Sequence, residues 1–375
     1  MIRLGIDART HDHLGGPGRY CRNVLSALLA DPADLEYVVW LPDGGDWSSF
    51  PVAEGVKLEV RSAPEPGLAD ARFEADVNAA ELDVFCSFAS PVPSGVSAPI
   101  LLVVHGVSPD GAPAGGIVGE SVERATSIIA DCSLTAVDVE RLFPRHAHRV
   151  WVVPPGVENR FFEPPDPAAF EAALAAHGLE KEGYVLHVGR SDGRKNLVRL
   201  VDAYAGSGLQ GRFPLVLAGE PGGADPDLRA RLESKDAAAI RRLGYVADEQ
   251  LPSILRGALL FVFPSLEERS CLALQEAMAT GRPVVGSRTD SIAELVGDAG
   301  LLIDPLDVAH LRGEMERVAS DASLRESMSA WSAARMRSYT WRRTAERVRR
   351  LAEHAASGAL KREEGSPLFP LRHSA

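Results

Sequence analysis

The 375-residue sequence is poor in cysteine: Cys21, Cys86, Cys132 and Cys271 are scattered and form no CxxC pair. That argues against a disulfide framework or a structural zinc site, and it fits a reducing cytosol. Long apolar runs are also missing, since nothing approaches the ~18–20 residues a bilayer helix needs. The opening MIRLGIDART lacks the basic, apolar and small-residue regions of a signal peptide and reads as a first strand. Nor is there an excess of positive charge. With 40 Lys and Arg against 52 Asp and Glu, the formal net charge is −12, which disfavours a nucleic-acid binder and a protein held on anionic lipid by bulk charge. P-loop and H-E-x-x-H patterns are absent, so an NTPase and a zincin lack support. What remains is 45% hydrophobic and 25% charged, an ordinary globular balance. The expectation is a soluble cytosolic enzyme, and its length favours two domains.

Short β-rich runs alternate with helical patterns along almost the whole chain. Strands are expected at 2–7, 35–41, 56–61, 83–88, 99–105, 127–131 and 149–154, and again at 184–190, 214–220, 259–265 and 282–287. Between these two sets lies the Pro-rich stretch PPGVENRFFEPPDP, read as a linker. The doubling predicts an α/β protein of two doubly wound, Rossmann-like domains, 1–160 and 161–335, facing a central cleft. An amphipathic Arg-rich helix is expected at 336–355 and a mobile tail at 356–375. Such folds take ligands beyond the carboxyl ends of their strands.

Four places carry chemistry. Gly15, Gly16 and Gly18 lie between a strand and a helix start, where backbone amides can approach a phosphate, though a tight turn explains them equally well. They do not complete a dinucleotide fingerprint. In GRSDGRKN, Arg190 leaves a strand end and Lys195 lies near the next helix start, a pair suited to a diphosphate. Lysine occurs only at 57, 181, 195, 235 and 361, so its presence beside Arg194 is mildly unexpected against the plain reading of a solvated basic turn. Glu268 falls in a loop after a strand and Glu276 inside a helix beginning near Ser270. Two separated carboxylates can bind sugar or ribose hydroxyls or a metal. His105 ends the strand ILLVVH and can exchange a proton near neutral pH, although a structural histidine is the commoner outcome.

Together these segments resemble glycosyltransferase family 4, the group 1 enzymes of the two-domain GT-B fold. The pieces occur in order to about residue 350: GGPGRY, VVHG, VVPPGVENRFF, YVLHVGRSDGRKNL, LGYVADEQLPSILRGALLFVFPSLEE with LQEAMATGRPVV, and YTWRRTAERV. The resemblance implies that Arg190 and Lys195 hold the β-phosphate of a nucleotide sugar, with Gly16 contacting it through its backbone. It implies that Glu276 binds the ribose, that backbone around Tyr245 and Val246 reads the base, and that Glu268 and His105 lie at the donor sugar. Ser270, Cys271 and Leu272 join the donor-binding set. Retaining, metal-independent transfer follows, with no cofactor beyond the nucleotide sugar. Apart from the resemblance, the acidic balance of residues 1–155, with 11 Lys and Arg against 21 Asp and Glu, suggests a small soluble acceptor and no stable membrane association, and no nucleic acid partner is expected. The sequence departs from the family after Glu268: Gly-Phe-Gly-Leu-Pro is replaced by Arg269-Ser270-Cys271-Leu272-Ala273. That keeps open a nucleotide-sugar-binding pseudo-enzyme or an epimerase-like relative, and a nicotinamide-dependent oxidoreductase is the further alternative.

Overall fold

The computed structural model describes residues 1–358 except 14, 33, 65–70, 89–90, 108–118 and 221–224. Most of the expected tail, from 359 onward, lies outside the described residues. The chain forms two units, Met1–Gly156 together with the segment from Trp341, and Val157–Thr340.

The first unit is built on seven parallel strands: β1 (Ile2–Asp7), β2 (Leu35–Pro42), β3 (Lys57–Ala63), β4 (Val84–Ser87), β5 (Ile100–Val104), β6 (Ser127–Ala130) and β7 (Val150–Val152). Their order is β3-β2-β1-β4-β5-β6-β7. Five of them, β1, β2, β4, β5 and β6, are buried over most or all of their length, as expected of a parallel sheet covered on both faces. The helix Gly16–Leu29 buries Tyr20, Val24, Leu25, Leu28 and Leu29 on one face.

The second unit repeats the design with β8 (Val185–Val188), β9 (Leu215–Ala218), β10 (Ile240–Gly244), β11 (Leu260–Phe263), β12 (Val284–Ser287) and β13 (Leu301–Ile303), ordered β10-β9-β8-β11-β12-β13. One apolar layer gathers Leu186, Phe261, Phe263 and Leu274, and the opposite layer gathers Val185, Leu200, Val262 and Met315. The expected class, two doubly wound Rossmann-like domains, is therefore the fold observed.

Two strands and one boundary differ from expectation. β10 and β13 were not expected; both are edge strands, β10 carrying exposed Arg241 and Arg242 and β13 being three residues long. Neither has the buried apolar run by which strands were recognised. The Arg-rich helix spans Trp341–Ser357, not 336–355, because residues up to Met336 close the helix Ala322–Met336. It belongs to the first unit, where Trp341 packs edge-on against Tyr20 with ring centroids 5.6 Å apart and Arg349 pairs with Asp31 at 3.2 Å.

Candidate active site

In each sheet the strand order reverses direction at one point, between β1 and β4 and between β8 and β11. Chains leaving two such strands diverge to opposite faces and open a crevice at their carboxyl ends. The residues singled out from the sequence cluster around these positions.

In the second unit the loop after β8 is laced to the loop after β11. The Leu266 amide donates to the Arg194 carbonyl at 2.7 Å. Buried Asn196 donates through Nδ2 to the Pro264 carbonyl at 2.9 Å. Asn196 adopts φ +57°, a left-handed conformation that asparagine tolerates better than most residues, and it caps the helix Leu197–Ala205. These ties bring Lys195 Nζ to 2.5 Å from Glu268 Oε1. The two side chains are only 12% and 9% exposed. Lys195 also lies 5.0 Å from the centre of the Phe263 ring. Arg190 stands on the same loop, exposed, and its guanidinium has no hydrogen bond or ion pair among the described residues. The crevice thus offers one buried, neutralised cation and one free one.

The helix Leu272–Ala279 follows directly. Its first amides receive no side-chain cap, and its N-cap Cys271 has φ +51°. Ser270 and Leu272 flank it, half-buried. At the position of the resembling family's second glycine, this chain thus holds a left-handed backbone with a cysteine. Glu276 is 3% exposed inside that helix. At the end of β10, Tyr245 is 63% exposed whereas Val246 is buried in the apolar layer.

In the first unit the three glycines separate by role. A Cβ on Gly18 would stand 2.1 Å from the His13 carbonyl oxygen, so close packing requires glycine there. Gly15 has φ +109°, which also favours glycine. Gly16 has neither constraint, and a Cβ there would meet nothing within 4 Å. The space over Gly16, at the start of an uncapped helix, is open to a ligand.

His105 is held by its own unit. Nδ1 lies 3.2 Å from Asp131 Oδ2 and Nε2 lies 2.9 Å from the Phe88 carbonyl, so both ring nitrogens face acceptors. Tyr20 stands edge-on against the ring at 4.9 Å. A sugar reaching for Nε2 has to compete with the Phe88 carbonyl. Asp131 escaped the sequence reading, although it ends its strand in SIIAD as His105 does in ILLVVH.

The two sheets define a doubly wound α/β protein with strand-end crevices, where such folds take ligands. Residues 169–334 match the family model for glycosyl transferases group 1. Over 225 residues it is 34% identical to the O-antigen chain mannosyltransferase B of Escherichia coli, the match covering 59% of each protein. Over 254 residues it is 30% identical to a D-inositol 3-phosphate glycosyltransferase of a Nocardioides species, covering 62% of this chain and 55% of that one. The matches thus span less than two thirds of these relatives' own length. Among solved structures, sucrose-phosphate synthase from Thermosynechococcus elongatus superposes with a TM-score of 0.72 at 18% identity, over 96% of this chain and all of that one. Anabaena HepE, solved in complex with UDP-glucose, gives 0.70 at 16%, over 95% of this chain and 100% of its own. These likenesses concern the fold. Among the described residues, no helix is long and apolar enough to cross a membrane.

Proposed function

We propose that the chain is a retaining glycosyltransferase that moves a sugar from a nucleoside diphosphate donor to the hydroxyl of a small acceptor. The observation that carries this reading is the placement of Lys195, Glu268 and free Arg190 at the β8/β11 reversal, beside an uncapped helix start. The match of residues 169–334 to the glycosyl transferases group 1 model supports it.

In this reading Arg190 binds the incoming diphosphate first, being exposed and unpaired. Lys195 then exchanges part of its contact with Glu268 for a phosphate oxygen, and the carboxylate so released accepts a hydrogen bond from a hydroxyl of the donor sugar. The C1–O bond to the diphosphate breaks as the acceptor oxygen approaches C1 from the same face. The acceptor proton passes to the departing diphosphate, so the anomeric configuration is kept and no protein nucleophile is needed. Catalysis is then positioning together with stabilisation of charge on the leaving group. Arg190 and Lys195 supply that positive charge without a metal ion. Glu276 holds the ribose.

The first unit supplies the acceptor side. Residues 1–155 hold 11 Lys and Arg against 21 Asp and Glu, a balance of −10 out of the chain's −12. This favours a small soluble acceptor, including an aminated sugar or cyclitol, over a lipid-borne one.

The test is to incubate the protein with GDP-, UDP-, ADP- and dTDP-sugars and candidate acceptors, following nucleoside diphosphate release and the anomeric configuration of the product by NMR. A retained configuration is expected. An inverted product would refute the mechanism, and donor binding without transfer to any acceptor would leave a binding protein.

A further inference from the structure

Beside the Lys195–Glu268 pair, the carboxyl ends of β8, β9 and β10 enclose a second feature. A cavity of about 390 Å³ lies there, with Leu197, Leu217, Leu228 and Leu232 as its apolar lining. That is room for a bicyclic base with its ribose. Its mouth is backbone: β9 and β10 run into Gly219 at φ +127° and Gly244 at φ +68°. A Cβ on Gly219 would stand 2.3 Å from the Gly189 carbonyl oxygen, so the strand ends meet only because glycine is there.

Some polar groups lining this cavity have no partner among the described residues. The guanidiniums of Arg229 and Arg242 make no hydrogen bond or ion pair among the described residues. Asp225 uses Oδ1 to cap the helix Pro226–Leu232, accepting from the amides of Asp227 and Leu228 at 3.0 and 3.1 Å. Its Oδ2 accepts nothing among the described residues. His187, fully buried in β8, has Nδ1 3.0 Å from the Val262 carbonyl. A carbonyl only accepts, so Nδ1 carries the proton and Nε2 is an acceptor. That Nε2 has no partner among the described residues and is closed off from solvent. The cavity therefore offers two free guanidiniums and one free carboxylate oxygen.

We infer that this cavity selects the donor nucleotide by its base and that the base is guanine. Guanine carries two adjacent acceptors, O6 and N7, which a guanidinium meets bidentately. Along its next edge it carries two adjacent donors, N1–H and the N2 amino group, which suit the free oxygen of Asp225. Uracil has one donor between two carbonyls, and adenine has a donor where guanine has O6, so each leaves part of the set unpaired. The distance fits: adjacent strands are spaced ~4.8 Å, which puts the β9 and β10 ends roughly 5 and 10 Å from the end of β8 where the diphosphate is placed. This inference rests on the nucleotide-donor reading above.

The experiment is calorimetric titration of GDP, UDP and ADP into the wild type, Asp225→Asn, Arg229→Ala and Arg242→Ala. Asparagine caps a helix as well as aspartate does, so Asp225→Asn keeps the fold while placing an amide where the carboxylate faced the base. Unchanged thermal midpoints confirm folding. The expected result is GDP binding at least about tenfold tighter than UDP or ADP in the wild type. That preference should fall several-fold in Asp225→Asn and in at least one arginine variant, with UDP affinity unmoved. Equal or tighter UDP binding by the wild type, or a preference that no variant alters, would overturn the guanine assignment and leave the nucleotide-sugar reading standing. Failure to bind any of the three would overturn both.

Discussion

Lys195 and Glu268, 73 residues apart in the chain, join side chains at 2.5 Å where β8 and β11 end. The pair is nearly buried, so each charge depends on the other: removing one partner of such a pair leaves an uncompensated charge that costs roughly 3–5 kcal/mol. Arg190, on the same loop, is exposed and has no such dependence.

The two cations should therefore respond differently to removal. Arg190→Ala is expected to leave the thermal midpoint unchanged while lowering kcat by about 100- to 1,000-fold, the usual value of a charged group aimed at developing charge. Lys195→Ala should lose activity and several kilocalories of stability together, and Lys195→Met with Glu268→Gln should recover the stability but not the activity. Steady-state kinetics and denaturant unfolding on the same preparations make the comparison. Near-wild-type turnover in Arg190→Ala would remove it from the reaction.

Cys271 offers a test of backbone strain. A β-carbon at φ +51° costs roughly 1–2 kcal/mol, a cost glycine escapes. Both Cys271→Ala and Cys271→Gly lose the buried thiol, but only the glycine variant relieves the backbone. Cys271→Gly should be the more stable of the two by about 1 kcal/mol, the reverse of the usual helix ranking. A less stable glycine variant would show that the left-handed residue carries no strain.

The pH response should report His187. Burial drives its imidazole down to about 4, the Val262 carbonyl opposes this, and the charge of Lys195 adds to it. The unfolded chain then binds more protons than the folded one between about pH 4 and 6.5. Stability is complete above that window and falls as pH drops through it, by ~3 kcal/mol in all. Other groups titrate there too, so the informative quantity is the difference between wild type and His187→Phe, whose profile should be flatter from pH 7 to 4.5. Parallel urea midpoints across that range would rule the histidine out.

How far these features could be read beforehand depended on the kind of signal each gives. The two doublings of strand and helix were legible because strands covered on both faces are written as apolar runs such as YVLHV and LLFVF. IRRLG, with two exposed arginines, and the three-residue LLI have no such signature, which is why they passed unnoticed. Arg190, Lys195, Glu268 and Glu276 could be found by residue type and strand-end position. Their partnership could not, because the Lys195–Glu268 contact is made by loops that only the parallel sheet brings together. His187 reads as an ordinary strand residue; its orphaned nitrogen exists only once Val262 has taken the other. Asp225 likewise looks like a helix cap and nothing more.

The glycine loop of the first unit allows the sharpest separation of fold from function. Gly18→Ala puts a β-carbon 2.1 Å from the His13 carbonyl, so the backbone has to move and folding should suffer. Gly16→Ala meets no protein atom within 4 Å and sits at the start of the helix Gly16–Leu29, where alanine gives up less backbone entropy than glycine. That variant should be as stable as the wild type, or up to ~1 kcal/mol more so. If a diphosphate lies against the Gly16 backbone, the added methyl group occupies its space alone, and donor KM should rise at least about tenfold with the fold intact. Thermal midpoints and donor KM for both variants decide it. Gly16→Ala with wild-type kinetics would show that no phosphate approaches this loop and would reduce its glycines to a turn.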